Sequence, residues 1–139
     1  MASRVLGIDF GSKRIGIAVS DPMNIIARGI TVVPNSPRAV DDILKIASEY
    51  EVAKIVVGMP FTLKGTKGMK AEEVERFIEK LSENTDLEII QWDERFTTHT
   101  AHQTLLTMGV RKKARQSKER IDEMASALIL QGYLDSLCS

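Results

Sequence analysis

The sequence predicts an α/β fold in which a five-stranded mixed sheet carries helices on both faces. Short apolar runs typical of strands alternate along the chain with i, i+3, i+4, i+7 stripes typical of amphipathic helices. Three strands come first, followed by helix, strand, helix, strand and two helices. Strand-helix-strand units cross over with a right hand and pair in parallel. We therefore expect the strand order 3-2-1-4-5, with the second strand antiparallel.

The first three strands are predicted to form an antiparallel meander. Apolar residues at 5–8 form a strand that ends at Asp9, and large and small residues alternate over 15–20 with the period of two of a second strand. A Ser-Asp-Pro turn then leads to a third strand predicted over 25–33. Asp9 therefore stands at the carboxyl end of the first strand.

The first helix has explicit boundary residues. Ser36 suits the N-cap and Pro37 the first helical position, and the apolar stripe from 40 to 47 predicts a helix that ends near Tyr50. The later elements are a strand at 53–58, a helix with a stripe at 71–81, a strand at 87–92, a short helix after Thr97 or Thr98, and a final helix. In that last helix the residues expected to face inward are Ile121, Met124, Ala125, Leu128 and Ile129.

Composition sets the broad class. A chain of 139 residues with 43% hydrophobic content has the size of one domain, expected to span 1–139. Nineteen basic and nineteen acidic residues cancel, so any nucleic-acid binding must come from local clusters of charge. The one cysteine, Cys138, excludes an internal disulfide, and no membrane span or signal peptide is recognised. We expect a cytoplasmic protein that is a monomer or weak dimer.

Three carboxylates predict a metal site. Asp9 ends the first strand, Glu94 follows the fifth, and Asp122 lies in the first turn of the last helix. Ligand sites of open α/β sheets lie at the carboxyl edge where the strand order reverses, which is beside the first strand here. Taken singly, the same acids are explained as a turn carboxylate, a solvated charge pair and a helix-dipole partner. Together they suit Mg²⁺ or Mn²⁺, which prefer oxygen ligands.

A dense basic segment at 111–120 directly precedes Asp122. Phosphate backbones would be attracted to it, although a solvated loop explains a charge run equally well. The residues predicted to bind nucleic acid are Lys13, Arg14, Lys64, Lys67, Arg95, Arg111, Lys112, Lys113, Arg115, Lys118 and Arg120.

Other candidates have plainer explanations. His99 and His102 lie three residues apart on the predicted short helix, but cysteine partners are absent and surface histidines explain them better than a zinc site. Trp92 could stack on a base, yet a half-buried aromatic at a strand end is the simpler interpretation.

Five motifs in order resemble those of the YqgF family, also called RuvX, over almost the whole chain. They are Gly7-Ile8-Asp9-Phe10-Gly11-Ser12-Lys13-Arg14-Ile15-Gly16-Ile17-Ala18, Val57-Gly58-Met59-Pro60, Gly65-Thr66-Lys67-Gly68, Asp93-Glu94-Arg95-Phe96-Thr97-Thr98 and Asp122-Glu123-Met124-Ala125-Ser126-Ala127-Leu128-Ile129-Leu130-Gln131. The resemblance implies a ribonuclease H-like fold. It also implies a nuclease, described in that family as resembling Holliday junction resolvases and assigned to processing of the small-subunit ribosomal RNA precursor.

Position by position, the resemblance implies that Asp9, Glu94 and Asp122 are catalytic and bind metal, whereas the role of Asp93 stays open. The chain departs from the common pattern at Met59, where leucine is usual, and at Lys67, where an acid is usual. Exchange of leucine for methionine conserves volume, and Lys67 makes the rim of the site more positive.

The leading hypothesis is an Mg²⁺-dependent or Mn²⁺-dependent endonuclease that processes the 5′ end of pre-16S rRNA, alone or within a pre-ribosomal particle, by two-metal hydrolysis. One alternative is a Holliday junction resolvase acting on branched DNA, which normally requires a symmetric dimer. Another is a non-catalytic RNA-binding factor for ribosome assembly. The Asp-Phe-Gly hairpin also resembles the phosphate loop of actin-like ATPases, but those close two domains around nucleotide, which 139 residues cannot supply.

Overall fold

The computed structural model describes residues 3–60, 68–94 and 117–137. The strands are β1 (Arg4–Phe10), β2 (Arg14–Ser20), β3 (Ala27–Pro34), β4 (Val52–Met59) and β5 (Glu88–Asp93), and the helices are α1 (Ala39–Glu49), α2 (Met69–Glu83) and α3 (Ser117–Leu137). The sheet order is β3-β2-β1-β4-β5. β4 runs parallel to β1 and β5, whereas β2 is antiparallel to β1 and β3. The predicted topology is confirmed.

The sheet separates two apolar layers because side chains alternate along each strand. On one face Leu6, Ile8 and Phe10 of β1 pack with α1 and α2, whose buried residues follow the predicted stripes. On the other face Val5 packs with Ile129 and further residues of α3. Asp9 follows Val5 by four residues and therefore belongs to the α3 face, at the carboxyl end of β1.

A row of small residues lets α3 approach the sheet closely. Gly7, Ala18 and Gly29 are register partners across β1, β2 and β3. A Cβ atom added to Gly7 would lie 2.7 Å from Cβ of Leu130, and one added to Gly29 would lie 2.7 Å from the backbone oxygen of Glu123. Both distances are too short for a real contact, so this row fixes how near α3 lies to β1.

The start of α1 differs from its prediction. The helix begins at Ala39, its N-cap position is Arg38, and no side chain caps it. The Ser36 hydroxyl instead accepts the Arg38 N–H at 3.2 Å, and the Ser36 carbonyl accepts the Ala39 N–H at 3.0 Å. Ser36 thus closes a local turn around Pro37, a bonding mode in which serine competes with helix capping.

The third strand also begins later than predicted, at Ala27. Ile25 and Ile26 lie outside it and are 55% and 63% exposed. Their backbone N–H groups donate to the carboxylate of Asp21 at 2.7 and 2.9 Å, which holds this segment as a loop. These hydrogen bonds, that of Ile26 first, lower the pKa of Asp21.

The inward face of α3 is rotated from the predicted one. Its buried residues are Ser126, Ile129, Leu130, Tyr133 and Leu134, whereas Met124, Ala125 and Leu128 are only half-buried. The row of small residues in the sheet selects this face, because it accepts the helix backbone near Ser126 and Leu130. Within the described part of the chain, no helix is long and apolar enough to cross a membrane.

Candidate active site

Asp9 and Glu94 come together at the carboxyl edge of the sheet. Asp9 is the last residue but one of β1, and Glu94 directly follows β5, with β4 between them. The two side chains are joined by a hydrogen bond. A hydrogen bond between two carboxyl groups requires a proton on one of them, because ionised carboxylates only accept. The sequence prediction that these acids converge is therefore matched by the geometry.

The pairing has a strong electrostatic consequence for Glu94. Its pKa is raised from 4.5 to about 7, first by burial and then by the negative charge of Asp9. The positive charge of Lys70 opposes this rise, while the hydrogen bond that protonated Glu94 donates to Asp9 and the charge of Asp93 add to it. Two acids held close in a partly buried place favour a shared proton or a cation. This is the electrostatic environment in which a divalent cation is bound.

Gly58 provides the space that Glu94 occupies. It lies on β4 opposite Trp92 of β5, on the face that carries α3. A Cβ atom at this position would lie 3.1 Å from both Cγ and Oε1 of Glu94 and 2.7 Å from Cδ1 of Ile129. The absence of a side chain therefore lets Glu94 and α3 meet over β4.

Asp122 lies on α3, and its side chain is outside the described residues. Its position precedes Ser126 by four residues. Ser126 is fully buried, and its carbonyl oxygen would lie 3.2 Å from a Cβ atom on Gly7. Among the residues that the structure describes, no group of three or more acids, histidines or cysteines is arranged to hold a metal. The described acidic site is therefore the pair of Asp9 and Glu94.

The predicted phosphate-binding residues are only partly described. Lys13 is exposed in the turn between β1 and β2, and Arg14 begins β2. Asn35 braces this turn, since its amide donates to the Gly11 carbonyl at 2.8 Å. The helix α3 includes Lys118 and Arg120, whose side chains are not described. Outside the described residues altogether lie Lys64, Lys67, Arg95, His99, His102, Arg111, Lys112, Lys113, Arg115 and Cys138.

The structure adds one residue that the sequence prediction missed and assigns a packing role to another. Lys70 lies in the first turn of α2, and its positive charge acts on Glu94. Its position directly after the loop that follows β4 was the available signal. Trp92 packs edge-on against Tyr133 of α3, with ring centroids 6.0 Å apart. It belongs to the apolar layer under α3, as the simpler interpretation proposed.

Comparisons with known proteins identify the family of this chain. A sequence model of the family described as RuvX, Holliday junction resolvase, matches residues 3–136. The chain is 44% identical over 137 residues to the "Putative pre-16S rRNA nuclease" of Ruminiclostridium cellulolyticum, covering 96% of this chain and 95% of that protein. It is 42% identical over 137 residues to the protein of the same name from Sulfurihydrogenibium sp., covering 97% and 92%.

Solved structures show the same fold at low sequence identity. RuvC of T. thermophilus in complex with Holliday junction substrate aligns with a TM-score of 0.63 and 19% identity, covering 98% of this chain and 97% of that one. The Fowlpox virus resolvase in complex with Holliday junction DNA aligns with a TM-score of 0.57 and 13% identity, covering 98% and 99%. These likenesses establish the ribonuclease H-like fold, and the sequence matches establish that the chain belongs to the RuvX family.

Proposed function

We propose that this protein is a metal-dependent endonuclease that hydrolyses phosphodiester bonds in the precursor of 16S rRNA. The observation that carries the proposal is the contact between Asp9 and Glu94 at the carboxyl edge of β1 and β5. The relatives named as pre-16S rRNA nucleases supply the substrate class. Their identity of 42–44% over more than nine-tenths of both chains makes the same substrate class the natural one to test first.

The donor set fits a hard divalent cation. Asp9 and Glu94 offer carboxylate oxygens, which Mg²⁺ and Mn²⁺ prefer. Burial and then the negative charge of Asp9 raise the pKa of Glu94, and a bound cation would offset the repulsion between the two carboxylates. We propose Asp9, Glu94 and Asp122 as the residues that hold it. When bound, one or two such ions would supply Lewis-acid stabilisation of the phosphate and a water molecule of lowered pKa.

Side chains of the protein would favour the ionised form of Glu94 and bind the phosphates of the substrate. Glu94 must be ionised to act as a ligand, and the charge of Lys70 favours that ionised form. Lys13 is exposed in the turn between β1 and β2, where its charge can hold a phosphate of an incoming strand. Arg14, at the start of β2, is half-buried and already has an interaction partner. We propose that the basic segment at 111–120 continues this path, since it precedes Asp122 in the chain.

The test is a cleavage assay on purified protein. Precursor and mature 16S rRNA are incubated with Mg²⁺, with Mn²⁺ or with a chelator, and Asp9→Asn is compared with Asp41→Asn, a matched change at an exposed acid of α1. We expect cation-dependent cleavage of the precursor by the wild type and by Asp41→Asn, and none by Asp9→Asn. Equal cleavage by both variants would refute the assignment of Asp9.

A second candidate is a junction-resolving DNase, favoured by the family description. Resolution of a four-way junction takes two coordinated nicks and normally a two-fold symmetric dimer. A four-way DNA junction in the same assay, together with the molar mass in solution, separates the two functions. Symmetric nicking by a dimer would favour the resolvase, and tight RNA binding without cleavage under any cation would favour an assembly factor.

A further inference from the structure

A cavity lies at the carboxyl end of β1, on the sheet face opposite Asp9. Its volume is about 320 Å³, and it is enclosed by the chain around the start of α1 and by the middle of α2. Phe10, the residue after Asp9, contributes to its floor. The cavity therefore adjoins the candidate active site through one strand end, although its side chains belong to the other layer of the fold.

The floor of this cavity is apolar and partly aromatic. Phe10 and Phe77 lie with their ring centroids 4.8 Å apart, and Pro37 and Val40 complete the surface. Both phenylalanines are 8% exposed and line the cavity. Apolar and aromatic surfaces of this kind accept a nucleobase with little dependence on sequence, because every base has apolar faces.

The rim carries the charge that a phosphate requires. Arg76 and Lys80 both line the cavity and lie four residues apart on α2, so they project from the same face of that helix. Both side chains are exposed. One acid, Glu73, also lines the cavity and can accept hydrogen bonds from an amino or hydroxyl group. Two cations and one acid leave a net positive rim.

The size of the cavity limits the occupant. Ligand pockets generally range from roughly 300 to 1,000 Å³, and about 320 Å³ stands at the lower end of that range. One nucleotide fits this class of volume. An apolar floor, a cationic rim and a hydrogen-bond acceptor together match the three parts of a nucleotide.

We propose that this cavity binds one ribonucleotide of the substrate strand, beside the bond to be cut. The base lies against Phe10 and Phe77, and a phosphate lies against Arg76 and Lys80. A strand that crosses the carboxyl end of β1 then meets Asp9 on one face of the sheet and the cavity on the other. That this ligand belongs to a substrate strand rests on the nuclease function proposed above.

The turn after β1 lies between the cavity and Asp9, and Asn35 contacts both the turn and the cavity. The Asn35 side chain lines the cavity and donates hydrogen bonds to the carbonyls of Gly11 and Ser12 at 2.8 and 3.4 Å. Its backbone N–H donates to the Lys13 carbonyl at 3.0 Å. A ligand against Asn35 therefore touches the residue that braces the turn next to Asp9.

The first experiment measures RNA affinity without cleavage. A fluorescent single-stranded RNA of about 12 nucleotides is titrated in chelator, comparing Arg76→Glu/Lys80→Glu with Arg28→Glu/Lys45→Glu, an equal charge change outside the cavity. We expect the cavity variant to bind roughly 10-fold more weakly and to lose about one unit of salt slope. The control should stay within about twofold of wild type. Thermal unfolding verifies that both variants fold.

The second experiment locates the ligand. Adenosine monophosphate and the unlabelled RNA are titrated separately into ¹⁵N-labelled protein, and amide shifts are expected at Phe10, Asn35, Val40 and Phe77 with either probe. RNA should displace the mononucleotide from these positions. A cavity that binds the mononucleotide in the presence of saturating RNA would overturn the proposal, and so would equal RNA affinity of the two double variants.

The two proposals fail in distinguishable ways. If the wild type cleaves no RNA, the nuclease function falls, while the affinity measurement in chelator still reports on the cavity. If cleavage depends on Asp9 but the cavity variant keeps the wild-type KM, the nuclease function stands and the cavity proposal falls. The expected pattern is a raised KM with kcat within about threefold of wild type, because the lost contacts bind ground state and transition state alike.

Discussion

A Cβ atom on Gly58 would lie 3.1 Å from both Cγ and Oε1 of Glu94, so the space taken by the Glu94 carboxylate is space that a side chain on β4 would fill. The same atom would lie 2.7 Å from Cδ1 of Ile129. A side chain at Gly58 would therefore collide with two neighbours. One is an apolar branch of α3, and the other is a proposed metal ligand.

Gly58→Ala is expected to lower both stability and cleavage. Overpacking against Ile129 and Glu94 costs about 1–3 kcal/mol of unfolding free energy, and displacement of Glu94 reduces kcat by up to about 10²-fold. Adding Ile129→Val removes the Cδ1 atom, so the double variant should regain stability relative to the sum of the single changes. It should not regain activity. Recovery of cleavage together with stability would mean that Glu94 was not displaced.

The pKa of Glu94 predicts how stability depends on pH without a cation. In the folded chain it is about 7, against an ordinary value of 4.5, so the folded state binds more protons between these values. The associated stability is fully present below pH 4.5 and is lost as the pH rises through about 7. Since one pKa unit corresponds to about 1.4 kcal/mol, the loss is at most about 3 kcal/mol.

Urea unfolding in chelator at pH 5, 6, 7 and 8 measures this loss, with Glu94→Gln as the matched control. The difference between wild type and Glu94→Gln should change across that range and level off above the pKa. Adding Mg²⁺ should stabilise the wild type more at pH 8 than at pH 5, because a ligand must be ionised to bind. Parallel curves for the two proteins would contradict the raised pKa.

The sequence predicted the location of the acids because their placement follows from topology. Asp9 ends a strand whose neighbours were inferred from the order of elements, and Glu94 follows the last parallel strand. Both therefore had to lie on one edge of the sheet. The sheet face of Asp9 was not predicted: the structure shows Leu6 and Ile8 in one core, which places Asp9 on the opposite face of the sheet.

The inward face of α3 and the start of α1 depend on contacts that the local sequence pattern does not reveal. The inward face of α3 was predicted from its own apolar stripe, whereas the row of Gly7, Ala18 and Gly29 decides it. The start of α1 depended on whether the Ser36 hydroxyl bonds within the helix or within a turn. Periodicity in one segment carries no information about a partner surface, so neither result could be obtained from local pattern alone.

Asp9→Asn is expected to separate stability from activity. The amide removes the negative charge that raises the pKa of Glu94, and its N–H can donate a hydrogen bond to ionised Glu94, which the Asp9 carboxylate cannot do. In chelator at pH 8 the variant should therefore be more stable than wild type by roughly 1 kcal/mol. Cleavage should fall by at least about 10²-fold, and the stabilisation by Mg²⁺ should shrink. A variant less stable than wild type in chelator would show that Asp9 has a structural role.

The spacing between α3 and the sheet is tested at Gly7. Gly7→Ala introduces a Cβ atom 2.7 Å from Cβ of Leu130 and 3.2 Å from the Ser126 carbonyl oxygen, and neither atom can move without the helix. We expect a loss of about 1–3 kcal/mol in unfolding free energy and displacement of the helix that carries Asp122.

Ala18→Gly, at the register partner of Gly7, is the control. It loses about 1 kcal/mol by removing a buried methyl group and by increasing the conformational entropy of the unfolded chain. It leaves α3 in place, so at a temperature where both variants are folded only Gly7→Ala should lose cleavage. Equal activity of the two would show that α3 tolerates displacement and that the position of Asp122 is not critical.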